Sequence, residues 1–306
     1  MHFQNPFSEA DVARASGVPV TPRMFANATF EGVRAALVFR ESYMKPVMQG
    51  ILDPTPRERA IIDLHYRTLP FMASLCRLAN PVYFQTLASS ARSLFEVGLD
   101  LALLDRDATQ ESADRLAGFT RVERYRVATK LVDFYANRPV PQDLELGPQR
   151  ALCSDAAQRA EVDQLREQHW GRNSHGDLIW PKHWSPFSDA RGRAQQVGGS
   201  WEERYVRYYY QLSWHVHAGM VGAADLPQET FDIFSAEAYR LSTDVALDTY
   251  SILGATLRLA QAMQEWNERL TFLGRVIGLA LVDERLQGLG EPARFLYREA
   301  NELPGL

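Results

Sequence analysis

The sequence is most informative at Arg207-Tyr208-Tyr209-Tyr210-Gln211-Leu212-Ser213-Trp214-His215-Val216-His217. Read as a helix at about 100° per residue, this stretch has two distinct sides. One side gathers polar and aromatic groups within about 120° of arc, namely Arg207, Tyr210, Ser213, Trp214 and His217. The other side is an ordinary core stripe, namely Trp201, Tyr205, Tyr208, Leu212 and Val216. We expect a helix that is buried on both sides and contains a site, with His215, Tyr208 and Tyr209 as packing or surface residues.

A second notable pair is Arg92 and Glu96, one turn apart on the helix predicted over residues 81–104. Leucine, valine and phenylalanine surround them, so the middle of this helix is apolar on nearly all sides. Burying an ion costs several kcal/mol unless it is paired and hydrogen-bonded. We therefore expect Arg92 and Glu96 to meet each other or polar groups of another helix, and the face with Ser213 and His217 is the candidate partner.

If these groups meet, Glu96 would hold His217 in one tautomer and Arg92 would contact an anionic substrate, with Ser213 or Tyr210 positioning it. Three further candidates for substrate contact are Arg207, Trp184 and Trp214. A nucleophilic triad is disfavoured because a serine within a helix lacks the strained turn of a nucleophile elbow, and no G-x-S-x-G motif occurs. The structural alternative is that the same groups only satisfy hydrogen bonds across a bundle.

Helical periodicity dominates the rest of the chain and predicts an all-α fold. Helices are expected at about 8–16, 28–48, 55–78, 81–104, 109–137, 149–169, 200–220, 228–262, 263–287 and 291–303. Thr55, Pro56 and Glu58 form a capping-box start. Residues 171–200 predict a long ordered loop with one helical turn near 190–196. We expect one domain over residues 1–306, a single bundle of about eight to ten helices.

Composition narrows the class of protein. The formal net charge is −5, which argues against a strongly electrostatic nucleic-acid binder. Only two cysteines occur, without metal spacing, and no glycine-rich phosphate loop or dinucleotide motif is present, so no metal and no cofactor are expected. No secretory signal is evident, and the apolar run 276–282 is too short to span a bilayer. We expect a cytoplasmic protein that does not contact membranes.

Three separated motifs resemble a bacterial family catalogued as domain of unknown function 5677. They are Ala91-Arg92-Ser93-Leu94-Phe95-Glu96, then Trp184-Ser185, then Tyr210-x-x-Ser213-x-x-x-His217. The resemblance covers about residues 60–225, on which helices 8–50 and 228–303 would pack. It implies an all-helical fold and marks five signature positions, Arg92, Glu96, Tyr210, Ser213 and His217. It implies no established activity.

A more distant similarity is to the helical superfamily of higher-eukaryote and prokaryote nucleotide-binding domains, many of which are metal-independent ribonucleases of toxin and phage-defence systems. Their signature is an arginine followed at a short spacing by a histidine on one helix. Here seven residues separate Arg207 from His215 and nine separate it from His217, so that motif is not carried over. For the same active site to form here, the guanidinium of Arg92 would have to occupy the position of the arginine in that motif.

Three functions are compatible with these patterns. The first is a metal-independent nuclease or nucleotide-binding effector of a bacterial defence or stress system, with His217 as the acid–base group and Arg92 as the phosphate contact. The second is a noncatalytic interaction or scaffold protein whose Arg/Glu/Tyr/Ser/His cluster is structural. The third is a small-molecule enzyme or sensor with the Trp180/Trp184 loop as a lid. The corresponding partners are RNA or a nucleotide, another protein, or a second copy of the chain in a homodimer.

Overall fold

The computed structural model describes residues 5–78, 80, 83–107, 109–216, 227–257 and 263–295. For His215 and residues 263–265 it describes only the backbone. Within these ranges the chain is helical, contains no β-strand, and has one isolated antiparallel bridge between Arg172 and Leu178. The all-α fold class is therefore confirmed.

The described part of the chain contains thirteen α-helical segments. They are α1 (Glu9–Ser16), α2 (Pro22–Phe39), α3 (Lys45–Gln49), α4 (Pro56–Arg77), α5 (Phe84–Arg106), α6 (Glu111–Phe134), α7 (Gly147–Ser154), α8 (Ala156–His169), α9 (Ala190–Val197), α10 (Ser200–Arg204), α11 (Tyr210–Val216), α12 (Gln228–Thr256) and α13 (Met263–Gly288). Two π-helical turns, Arg40–Met44 and Tyr205–Tyr209, make α2 continuous with α3 and α10 continuous with α11.

Local side-chain chemistry explains where helices begin. Thr55 and Glu58 form the predicted capping box: Thr55 Oγ1 accepts from the Glu58 backbone N–H at 3.2 Å, and Glu58 Oε2 accepts from the Thr55 N–H at 2.8 Å. The single helix predicted over 149–169 is wrong, because Asp155 ends α7 and caps α8 by accepting from the Ala157 N–H at 2.9 Å.

The C-terminal prediction also needs a correction. A helix was predicted over residues 291–303, but residues 291–295 have no regular secondary structure. Gly290 adopts a left-handed backbone (φ 86°), and the Glu291 N–H donates to the Leu286 carbonyl at 3.1 Å. This is the usual way for glycine to end a helix. The remainder of the predicted helix lies outside the described residues.

The chain divides into two compact units, residues 1–106 with 193–306 and residues 107–192. In the first unit, α12 packs on α2 and α5, α13 packs on α2, and α4 packs on α5. In the second unit, α6 packs against α7 and α8. The single domain over 1–306 stays a prediction, as does the packing of both terminal regions on a core at 60–225.

The predicted long loop is ordered by side chains of the second unit. Residues 171–189 lie outside helices, and the helical turn expected near 190–196 is α9. The buried Arg166 guanidinium donates to the Ile179 carbonyl at 3.1 Å and lies 3.7 Å from the centre of the Trp180 ring. Among the described helices, none combines the length and the apolar character needed to cross a membrane.

Candidate functional site

The charged residues of α5 form the centre of a polar cluster in the first unit. Arg92, Glu96 and Asp100 follow one another at intervals of one turn and share one face of α5. They meet Arg193 of α9 and Tyr209 of the second π-helical turn. We call these five residues the α5 cluster.

Glu96 is the residue that the other members share. The Tyr209 hydroxyl donates to Glu96 Oε1 at 2.6 Å, and Arg193 Nη2 donates to Glu96 Oε2 at 3.4 Å. Arg92 Nη2 lies 3.8 Å from Oε1 and donates to the Tyr209 hydroxyl oxygen at 3.2 Å. Both carboxylate oxygens are therefore engaged, although the Glu96 side chain is still 39% exposed.

The inner end of the cluster is a buried ion pair. Arg193 Nη1 donates to Asp100 Oδ1 at 2.9 Å, and the two side chains are only 5% and 10% exposed. Two charges this far from water are tolerated when they neutralise one another and are hydrogen-bonded. Arg193 thus bridges two carboxylates of α5, one at the surface and one in the interior.

Tyr209 acts as a hydrogen-bond donor in this environment. Burial and the bond to Glu96 raise the pKa of the Tyr209 phenol, which the neighbouring Arg92 opposes. The phenol therefore keeps its proton at neutral pH. Its ring packs 5.1 Å from the Phe95 ring, and the Arg92 guanidinium lies 5.0 Å from the ring centre on a cation–π contact.

Within the described residues 207–216, most of the predicted polar side faces solvent and not the interior. Tyr210 is 68% exposed, Trp214 is 57% exposed, and the Arg207 side chain is exposed beside Glu203 at 3.7 Å. The expectation of a helix buried on both sides was therefore wrong. Tyrosine, tryptophan and arginine combine apolar bodies with polar tips, so this side is stable in contact with water.

The predicted partner of Arg92 and Glu96 is also corrected in part. Among the described residues, Glu96 bonds to Tyr209 and Arg193, and the half-buried Ser213 hydroxyl has no hydrogen-bond partner. His217, the proposed acid–base group, lies outside the described residues. The roles assigned to Tyr210, Ser213 and His217 stay predictions.

Sequence reasoning missed three members of the α5 cluster. Asp100 follows Glu96 at the same spacing at which Glu96 follows Arg92, so the helical period was a usable signal. Tyr209 lies four residues after Tyr205 and three before Leu212, which places it on the core stripe. For Arg193 no local signal existed, because it is 97 residues away from Glu96 in the chain.

In the second unit, Trp184 is buried and its neighbours form a local turn. His183 Nδ1 accepts from the Ser185 N–H at 3.1 Å and lies 2.9 Å from Ser185 Oγ, while that oxygen also accepts from the Phe187 N–H at 3.3 Å. The Ser185 hydroxyl lies 3.1 Å from the Phe187 carbonyl, to which it donates. This serine is used to shape the loop. Substrate contact by Trp184 stays a prediction.

Among the described residues, the charged groups of the α5 cluster pair with one another. Its carboxylates accept from cluster donors, and its phenol donates a hydrogen bond to Glu96. Within the described ranges, no group of three or more histidine, cysteine, aspartate or glutamate side chains is arranged to hold a metal. The geometry is that of a hydrogen-bonded charge network that connects helices.

Comparison with known proteins supports the family predicted from the three motifs. The model of a family of unknown function (DUF5677) matches residues 58–230, which is more than half of the chain. No match was found among the curated proteins or among the solved structures. The matched region contains the whole α5 cluster as well as Trp184 and Ser185. The chain therefore belongs to the DUF5677 family of unknown function.

Proposed function

We propose that this chain is a noncatalytic interaction protein in which the α5 cluster is structural. The observation that carries the proposal is the pairing of Glu96, whose two carboxylate oxygens accept from Tyr209 and Arg193. A general base needs an oxygen available to the substrate within hydrogen-bond distance. Here each oxygen already accepts a hydrogen bond from a group of the same chain, which disfavours that role.

The α5 cluster joins parts of the chain that are distant in sequence. Glu96 is bonded to Arg193 on α9 and to Tyr209 between α10 and α11, so α5 is tied to two later elements. Hydrogen-bonded polar networks of this kind favour one helix register over alternatives, because any slip leaves buried charges unpaired. The cluster would thereby fix the orientation of the rod Ser200–Val216.

The outward side of that rod supplies the interaction surface. Val206, Tyr210 and Trp214 are spaced four residues apart and exposed, and the exposed side chains of Glu203 and Arg207 accompany them. Two copies packed antiparallel about a twofold axis would place Arg207 of one against Glu203 of the other and cover the apolar side chains. A second copy of the chain is therefore the partner in this proposal.

Removing the Glu96 carboxylate tests the structural role of the cluster. Glu96→Ala should lower the free energy of unfolding by about 1 kcal/mol, a modest value because the side chain is partly exposed. The matched control Glu268→Ala removes an exposed carboxylate of α13 and should change it by less than about 0.5 kcal/mol. Urea unfolding followed by circular dichroism measures both. Equal stability of Glu96→Ala and wild type would reject the structural role.

Measuring the oligomeric state tests whether this surface binds a second copy of the chain. Wild type should sediment as a dimer at about 100 μM, and the double variant Val206→Glu/Tyr210→Glu should be a folded monomer whose melting temperature is lower only by the contribution of dimerisation. The control Val127→Glu places the same charge at an exposed valine of the second unit and should leave the dimer intact. A monomeric wild type would refute the second copy as partner.

The nuclease hypothesis for a defence or stress system makes the opposite prediction for His217. RNA incubated with the purified chain in the presence of a chelator should remain intact under the noncatalytic proposal. RNA cleavage that disappears in a folded His217→Ala variant would overturn the noncatalytic proposal and favour the acid–base role of that histidine.

A further inference from the structure

A second polar cluster lies inside the first unit, apart from the residues discussed so far. Arg40 opens the π-helical turn Arg40–Met44, and His65 lies on α4. Their exposed fractions are 1% and 0%. Charged and imidazole groups this deeply buried normally have all their hydrogen bonds satisfied.

The guanidinium of Arg40 has a hydrogen-bond partner on one edge and none among the described residues on another. Its Nη1 donates to the carboxylate of Glu41, and its guanidinium lies 5.1 Å from the centre of the Tyr66 ring. Among the described residues, Nε and Nη2 have no hydrogen-bond partner. These two nitrogens carry parallel N–H bonds along one side of the guanidinium, and that side binds the two oxygens of a carboxylate or phosphate.

His65 presents two more unsatisfied polar atoms near this arginine. Within the described structure both of its ring nitrogens lack a hydrogen-bond partner. Burial, assisted by the charge of Arg40, lowers the pKa of His65 to about 3, so the ring is neutral at physiological pH and carries one N–H donor. The neighbouring Tyr250 does not hydrogen-bond to this ring, and its hydroxyl donates to the Ala36 carbonyl at 2.8 Å.

The charges and backbone around Arg40 are consistent with a binding site. Glu41 accepts from Arg40 and also from Lys45 at 3.0 Å, so these three side chains together leave one positive charge. A π-helical turn is less stable than regular helix and is frequently retained at functional sites.

We propose that Arg40 and His65 bind a small oxyanion, a carboxylate or an inorganic phosphate, in the interior of the first unit. The side edge of Arg40 donates two hydrogen bonds to two oxygens of the anion, and His65 donates one. The anion balances the charge that Glu41 leaves uncompensated. The site is independent of the α5 cluster and of the proposed dimer surface, so its failure would leave both of those proposals unchanged.

Thermal unfolding of the whole chain tests for the oxyanion. Melting temperatures are recorded in sodium chloride, sodium acetate and sodium phosphate at constant ionic strength and pH, after overnight equilibration because the site is buried. A ligand that binds only the folded state raises the melting temperature in a saturable way. We expect acetate or phosphate to do so and chloride not to, and the more effective salt identifies the source of the oxyanion.

Two matched arginine variants show whether the rise in melting temperature depends on Arg40. Arg40→Lys keeps the positive charge but loses the paired N–H bonds, so half-saturation should need at least about tenfold more anion. Arg34→Lys alters an arginine of α2 that pairs with Glu31 at 2.7 Å and should respond like wild type. If Arg40→Lys does not fold, His65→Leu serves instead, because it removes one donor and should weaken the same response.

Two outcomes would overturn the proposal. In the first, acetate and phosphate raise the wild-type melting temperature no more than chloride does, which would indicate that buried water satisfies Arg40 and His65. In the second, folded Arg40→Lys or His65→Leu retains the full wild-type response, which would place the bound anion elsewhere on the chain.

Discussion

Replacement of Arg193 by methionine should lower the free energy of unfolding by about 3–5 kcal/mol, because it strands a buried carboxylate. Arg193 and Asp100 are only 5% and 10% exposed and form a hydrogen bond of 2.9 Å. Methionine fills part of the same volume but offers neither charge nor donor. Glu96 would lose its Arg193 contact at the same time.

The double variant Arg193→Met/Asp100→Leu distinguishes the loss of the ion pair from the loss of packing contacts. Removing both charges should restore most of the stability, since apolar side chains of similar volume often replace a buried ion pair at little cost. The exposed Arg67→Met on α4 serves as the control and should differ from wild type by less than about 0.5 kcal/mol. Chemical unfolding of all three variants gives the comparison. A single variant as stable as wild type would show that the ion pair contributes nothing.

The course of the helices was largely predictable because local chemistry determines it. The capping box of Thr55 and Glu58 marked the start of α4 within one residue. Hydrophobic periodicity identified the core stripe of the 200–216 rod, in which Trp201, Tyr208 and Leu212 are buried. The boundary between α7 and α8 depends on one side chain, the capping Asp155. Periodicity does not detect such a cap, so a single helix was predicted across this boundary.

The candidate site was predictable only at its α5 side. The spacing of Arg92 and Glu96 indicated that two charges share a face, and the structure shows that they do. Their partners depend on which distant segments pack there, and the Glu96–Arg193 contact spans 97 residues of chain. The exposure of Tyr210 could not be derived either, since helical angles give the relative directions of side chains but not which side another helix covers.

The burial of Arg40 could not be predicted from the sequence either. Its sequence neighbours, Phe39 and Glu41, indicate neither a buried cation nor a π-helical turn. Burial arises because α2 packs against α4 and α12, which bring His65 and Tyr250 to the same region of the core. Only the tertiary arrangement therefore reveals that the side edge of the guanidinium is unsatisfied.

A side chain at Gly98 should be among the most damaging single changes in the first unit. A Cβ atom at this position would lie 2.6 Å from Val245 Cγ1 and 2.7 Å from Trp201 Cη2, closer than carbon atoms can approach. Gly98→Leu should therefore lower the free energy of unfolding by about 3 kcal/mol or more, because α5 must separate from α12 and α10. The change lies between Glu96 and Asp100, so this separation also strains the α5 cluster.

The matched control for Gly98 is Gly274, which is exposed on α13 and has no heavy atom within 4 Å of a Cβ built on it. Gly274→Leu should leave stability unchanged or raise it by up to about 1 kcal/mol, since leucine favours helix over glycine. Combining Gly98→Ala with Trp201→Leu should recover stability relative to Gly98→Ala alone if the indole is the obstacle. Equal unfolding midpoints for Gly98→Leu and Gly274→Leu would mean that α5, α10 and α12 do not pack as closely as described.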